Sequence, residues 1–211
     1  MIRTNTGTKG VPRLDREQQI LEAASVEFGT QGYAATSVAA IAAKAGISKP
    51  LVYNYFGSKE GLFIACLERA GSILADEIER IARGDSVGIE RGMLTLAGIF
   101  ATLEPQPHIW KLFFDPSAPT TGAVGDAIAH YTQRISKLAD EGVSELMALA
   151  GTPPHAGGAP SDVLDISAMT AVWLSIVDSL VTWWLDHPSE TADDMTQRCG
   201  RLIAALLGGT V

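Results

Sequence analysis

An all-α fold is predicted by three observations. Apolar residues recur at three- and four-residue intervals, as in Leu62, Phe63, Cys66, Leu67, Ala70, Ile73, Leu74, Ile78 and Ile81. Helix-breaking pairs and loops punctuate these stretches: Gly84-Asp85, Pro105 with Pro107, Asp115-Pro116, His187-Pro188. One segment, Ser37 to Lys59, reads as helix, short turn, helix. With 211 residues, 46% of them hydrophobic, the chain can build a core in one or two domains.

Residues 1–13 are polar and carry Arg3, Lys9 and Arg13; they read either as a plain disordered terminus or as a basic arm for a minor groove. A first helix is expected from about Arg16 to Gly29, capped by Asp15 with Gln18 in a capping-box position. Ile20, Leu21, Ala24 and Phe28 form its buried stripe, and Gly29 and Gly32 end it. Thr36 or Ser37 caps the second helix, because a hydroxyl there accepts from the free amides of the first turn. Val38, Ile41, Ala42 and Ala45 share one face, and Gly46 sits where a helix end wants a left-handed residue. Ser48 caps the third helix, with Pro50 tolerated in its first turn.

Val52 and Phe56 point one way on that third helix, which leaves Lys49, Tyr53, Asn54 and Tyr55 for another surface. In a helix-turn-helix the second helix of the pair enters the DNA major groove. Asn pairs with adenine, Lys reaches guanine, and Pro or Leu touches a thymine methyl, so Lys49, Pro50, Leu51 and Asn54 are candidates for base edges. Thr36, Ser37 and Lys59 suit phosphate contacts at helix starts, Tyr53 offers a hydroxyl, and Ser48 belongs to the same DNA-binding set. Tyr55 reads equally as a contact or as packing. The helix has no Arg, so part of the specificity falls to apolar contacts and DNA shape.

The segment ILEAASVEFGTQGYAATSVAAIAAKAGISKPLVYNYFGSKEGLF resembles the DNA-binding domain of TetR-type transcriptional regulators, a bacterial family. Phe28, Gly32, Tyr33, Thr36, Val38, Ile41, Gly46, Tyr53, Tyr55, Phe56, Lys59 and Leu62 carry the resemblance, which covers about residues 16–66. It implies that the positions from Lys49 to Tyr55, with Lys59, face DNA. It also implies homodimers, repression as the common mode, and release by a small molecule. The organisation expected is a basic arm at 1–14, a helix-turn-helix domain at 15–60 and a ligand-binding and dimerisation domain at 61–211.

Charge follows that division. The net charge of −8 splits into +3 over residues 1–59, with 7 basic and 4 acidic side chains, and −11 over the rest, with 9 and 20. The basic excess lies where the reading helix lies. Cys66 and Cys199 sit far apart in helical patterns and read as buried small hydrophobes rather than as a disulfide, metal or redox pair. No leader opens the chain and no apolar run approaches about 18 residues, so a cytoplasmic protein is expected, with no membrane partner. No P-loop, nucleophile elbow, dinucleotide fingerprint or metal cluster appears, so neither an enzyme, a cofactor nor a metal is expected.

The remaining helices follow from periodicity. A long one runs from about Lys59 to Ala82, opened by Ser58, and joins the two halves mechanically. Further helices are expected at about 86–104, 109–114, 124–150, 161–186 and 189–207, with an unstructured connection at 151–160. The helix before His187 is apolar nearly all round in TAVWLSIVDSLVTWWL, which predicts burial on both sides. With the last helix it suggests a four-helix dimer interface containing Trp184, Leu202 and Leu206. Aromatic residues are in surplus, and Phe100, Trp110, Phe114, Tyr131 and Trp173 read as either core or ligand pocket. Asp178, ionisable within the apolar helix, reads as a ligand contact or as part of a solvated or dimer-seam stripe. The expected function is a dimeric repressor that binds palindromic double-stranded operator DNA and is released by a small apolar effector. The alternative is a DNA-binding adaptor whose helical domain binds a protein partner.

Overall fold

The computed structural model describes residues 12–149 and 160–206. Among the described residues it holds nine helices and no strand: α1 (Arg13–Gln31), α2 (Val38–Lys44), α3 (Lys49–Phe56), α4 (Lys59–Ala82), α5 (Gly88–Leu103), α6 (His108–Phe113), α7 (Gly122–Leu149), α8 (Pro160–Leu185) and α9 (Ala192–Leu206). The arm expected at 1–14 lies outside the described residues up to residue 11, as does the connection at 151–159.

The chain forms two units, divided elsewhere than at residue 60. Among the described residues, one comprises those up to Ala70 together with His108–Ile128; the other comprises Gly71–Pro107 and those from Ala129 onward. Helices α4 and α7 therefore each contribute one end to each unit.

In the first unit, α1 starts earlier and ends later than its sequence predicts. Pro12 stands at its N-cap, a residue without a hydroxyl or carboxylate to offer, so the Asp15–Gln18 capping box does not form. Gly32, at φ 80°, ends it rather than Gly29. Gly29 instead sits where α6 crosses α1: a Cβ there would lie 2.3 Å from the backbone oxygen of His108. Phe28, Tyr33 and Phe63 close the core, with ring centroids 4.9 Å apart for both Phe63 pairs.

The turn between α2 and α3 is built as expected. Ala40 donates its amide to Ser37 Oγ at 3.1 Å, so Ser37 caps α2. At the other end Ile47 donates to the Ala42 oxygen (2.9 Å) and Gly46 to that of Ala43 (3.2 Å). This pair of bonds defines a Schellman motif, which needs a left-handed residue; Gly46 supplies it at φ 67°. Ser48 occupies the N-cap of α3 without a side-chain bond to the helix, contrary to the capping role expected. Ser58 caps α4 by accepting from the Gly61 amide at 2.9 Å.

In the second unit, Phe100 and Trp184 pack edge to face at 5.3 Å, and Leu96, Leu103, Val181, Met195 and Cys199 are buried. A capping box opens α9: Thr191 Oγ1 accepts from the Asp194 amide (3.1 Å), and Asp194 accepts from the Thr191 amide (3.1 Å). Glu104 adds a third acceptor, taking the Ala192 amide at 2.8 Å. Between α4 and α7, Arg134 bridges Asp76 (2.9 Å) and Glu79.

Helix α8 departs from the expectation of burial on both sides. Val163, Leu164, Met169, Val172, Ile176 and Trp183 are exposed on it. Although no uninterrupted apolar run is present, its Val163–Leu185 segment has the length and mean hydropathy (1.5) of a membrane-crossing helix, interrupted by Asp165 and Asp178. Both cysteines are free and buried, and burial pushes the Cys66 thiol up to about 12, so it stays protonated and unreactive.

Candidate nucleic-acid interface and effector cavity

The face presented by α3 is polar. Val52 is its buried anchor, at 1% exposure, while Lys49, Pro50, Tyr53 and Asn54 are exposed and Leu51 and Tyr55 half-buried. Cations lie beside its phenols: Lys49 Nζ is 5.7 Å from the Tyr53 ring centre, and the Arg13 guanidinium is 5.5 Å from that of Tyr55. Such pairs hold long side chains near the face without neutralising them. Ser48, exposed and not engaged by its helix, adds a hydroxyl at the same edge.

Lys59 stands at the start of α4 with its ammonium 4.6 Å from the Tyr33 ring centre and 3.4 Å from the Ala34 oxygen. Partial burial draws its pKa down from the ordinary lysine value, and burial with the nearby Glu60 raises that of Tyr33. The Tyr33–Ala34 turn is gripped by two residues that no sequence pattern singles out. Tyr33 donates its amide to Asp115 Oδ2, and Ala34 donates its amide to Ser117 Oγ at 3.0 Å. Asp115 also takes the Ser117 amide at 2.8 Å, which fixes the two acceptors relative to each other. The hint in the sequence is weak: Asp-Pro-Ser is a turn-forming triplet whose side chains favour backbone amides.

One expected phosphate contact is corrected. Thr36 is 3% exposed, and its hydroxyl donates within the fold to the backbone oxygens of Gly32 (2.8 Å) and Glu27 (3.2 Å). It staples the turn before α2 and presents nothing outward. Ser37 takes the outward position.

The second unit contains a cavity of about 160 Å³, lined from α4, α5, α7 and α8. Of the six residues expected around a ligand, it brings in Trp173. The others lie elsewhere for identifiable reasons. Phe100 is buried against Trp184. Tyr131 is buried where its ring fills the space over Gly71, with its hydroxyl 3.2 Å from Ser72 Oγ. Trp110 and Phe114 stack on each other at 5.0 Å in the first unit. Asp178 is half-buried on α8 and does not line the cavity. The lining is chiefly aliphatic, with Ile78, Ile99, Ile135, Leu138 and Val143 among its walls.

Of the residues expected at a dimer interface, Trp184 is corrected: it is 5% exposed, and its indole N–H donates to the Glu190 oxygen at 2.8 Å inside the protomer. Leu202 is exposed on α9. The Leu206 side chain lies outside the described residues. Among the described residues no group of His, Cys, Asp and Glu is placed to hold a metal ion.

A capped two-helix unit whose second helix is anchored by one valine and polar outward is a helix-turn-helix DNA-binding domain. Residues 20–66 match the description "Bacterial regulatory proteins, tetR family". It is 32% identical over 105 residues to the HTH-type transcriptional activator FasR of Mycolicibacterium smegmatis, an alignment spanning 50% of this chain and 48% of FasR. The chain thus spans about half the length of that relative. Its fold is similar to that of FadR from Bacillus subtilis, solved in complex with stearoyl-CoA, at TM-score 0.70 and 17% identity, covering 92% of this chain and 99% of that one. It is also similar to AibR, solved with isovaleryl coenzyme A and operator DNA, at TM-score 0.70 and 17% identity, covering 87% and 95%. At that identity the two structures speak for the fold alone.

Proposed function

We propose that this chain is a cytoplasmic, effector-released repressor that binds a palindromic operator as a homodimer. The observation that carries the DNA reading is the polar outward face of α3, set on a buried Val52. In this reading Lys49, Pro50, Leu51 and Asn54 meet base edges, and Ser37, Ser48, Tyr53, Tyr55 and Lys59 meet phosphates. The domain division follows: a basic arm at the start, a DNA-binding unit, and a second unit that takes effector and partner.

Dimerisation rests on α8. Met169, Val172, Ile176 and Trp183 recur at three-, four- and seven-residue spacing and are each 40% exposed or more. With Leu202 of α9 they leave an apolar stripe that water covers poorly. A second copy covers it by symmetry and places two reading helices on two half-sites.

The effector occupies the aliphatic cavity of the second unit. Two proteins of similar fold were solved with acyl-coenzyme A thioesters, and an aliphatic lining suits an acyl chain. The test is selection of bound duplexes from a random library with the purified protein, followed by addition of acyl-CoA to the selected complex. An enriched inverted repeat released by acyl-CoA is expected. No enriched sequence at low salt would overturn the operator reading. An inverted repeat indifferent to every acyl-CoA would favour a helical unit that binds a protein instead.

A further inference from the structure

The cavity of the second unit presents no uncompensated charge. Arg91 is the charged residue among those lining it. Its Nη1 lies 2.9 Å from Glu145 Oε2, its Nη2 donates to Glu145 Oε1 at 3.2 Å, and its Nε donates to the Ser86 oxygen at 2.8 Å. The guanidinium is thereby ion-paired with a carboxylate of this chain, through one hydrogen bond and one close charge contact. Thr95, which also lines the cavity, spends its hydroxyl proton on the Arg91 oxygen at 2.9 Å. A carboxylate entering this space would meet aliphatic walls and a cation already paired, at the full cost of its desolvation. A hydrocarbon group meets no such cost.

Size is set by the same walls. A dry apolar cavity of about 150 Å³ holds a benzene-sized guest, and this one measures about 160 Å³. Three glycines stand among those walls, Gly88, Gly92 and Gly142. Gly142, within α7, lines the cavity, and a Cβ built on it meets no atom within 4 Å. Gly92 differs, because a Cβ there would already touch the Trp173 ring at 3.4 Å. Gly88 differs again, since its φ of 59° resists any side chain. Gly142 is thus the wall position where a larger side chain enters empty space on an unstrained helix.

We propose that the cavity takes an uncharged hydrocarbon group of about six to eight carbons, that the Arg91–Glu145 pair rejects a free carboxylate, and that Gly142 sets the upper size limit. The charged portion of any effector stays outside the cavity. This rests on the effector reading above and narrows its ligand class.

The experiment titrates the full-length protein calorimetrically with butanoyl-, hexanoyl-, octanoyl-, dodecanoyl- and stearoyl-CoA, with hexanoate, and with cyclohexanol as an uncharged guest lacking coenzyme A. Hexanoyl- or octanoyl-CoA should bind tightest, and hexanoate about tenfold or more weaker. Gly142→Leu should weaken hexanoyl- and octanoyl-CoA about tenfold or more and move the optimum to butanoyl-CoA, with operator binding retained. Gly142→Ala, a milder filler on a helix, should move the optimum in the same direction and covers the case in which the leucine fails to fold. Glu145→Gln should unpair Arg91 and raise hexanoate affinity. An optimum at stearoyl-CoA, hexanoate as tight as hexanoyl-CoA, or an optimum unmoved by both Gly142 variants would overturn the proposal. Cyclohexanol binding that Gly142→Leu abolishes, with no thioester bound, would uphold the proposal and sink the thioester reading. No binding by any probe would overturn the proposal, while operator binding in the same samples judges the regulator reading separately.

Discussion

Helices α3 and α8 both expose much of their surface, and the two exposed faces have opposite chemistry. On α3 the buried residue is the aliphatic Val52 and the exposed ones are Lys49, Tyr53 and Asn54. On α8 apolar residues lie on both sides: Val177, Val181 and Trp184 are buried, while Trp183 and the cavity-lining Met169, Val172 and Ile176 stay partly exposed. Exposure alone does not identify a partner; the residue types that remain exposed do. Donors and cations beside aromatic rings suit phosphates and base edges. A second apolar stripe on one helix suits another apolar surface. Trp183 and Trp184, adjacent in sequence, mark the border: one is 40% exposed, the other 5%.

Substitutions at four positions test the two faces and what supports them. The largest effect is expected from Ile176→Glu, which puts a charge into the apolar stripe of α8. Loss of the dimer would remove the gain from two tethered half-site contacts, so operator affinity should fall about 10² to 10⁴-fold. Sedimentation velocity run beside the DNA titration checks both, and a dimer that persists would sink the α8 assignment. Next, Asp115→Ala removes the acceptor of the Tyr33 amide and should cost about 1–3 kcal/mol of stability. Asp115→Asn, which keeps an acceptor oxygen, should recover most of it in denaturant titrations. Tyr53→Ala should weaken operator binding about tenfold while leaving the melting temperature unchanged, because the side chain is exposed; unchanged affinity would remove Tyr53 from the interface.

The smallest effect is on pH dependence. Burial lowers the pKa of His108, helped by Arg69 and Lys44 and opposed by Glu22. The unfolded histidine titrates near 6.5, so below that pH the unfolded chain binds more protons than the folded one. Stability is therefore full above about pH 6.5 and declines as pH falls toward the folded value. His108→Gln should flatten that decline, as measured by unfolding at about pH 7.5 and about pH 5.5. An unchanged slope would assign the decline to another group.

Much of the first unit was legible because its signals are local. Ser37, Gly46 and Ser58 act on amides or turns within a few residues, and each performs its expected role. Thr36 was misread because its hydroxyl turns back to Gly32 and Glu27, a choice between two local acceptors and solvent that spacing cannot decide. The cavity was misplaced for a different reason. Spacing alone leaves an aromatic residue open to either core or pocket; Phe100 goes to the core against Trp184, and the cavity is aliphatic. What leaves a void is missing volume, and the usable signal was glycine within otherwise apolar helix faces, at 92 and 142. The grip of Asp115 and Ser117 on residues 33 and 34 spans more than eighty positions and has no periodic trace.

The first unit takes one of its parts from far along the chain, and this bears on how the protein is made. Gly29 packs on His108, and the amides of Tyr33 and Ala34 are held by Asp115 and Ser117. During synthesis the residues up to Ala70 leave the ribosome first, without the segment that completes their unit. The nascent reading head thus waits, with its α1–α2 turn unclamped, until residues as far as Ser117 have emerged. By then the α5 portion of the second unit is already outside. The order of translation therefore interleaves the two units, and a messenger cut short after α4 encodes a DNA-binding head lacking its own brace.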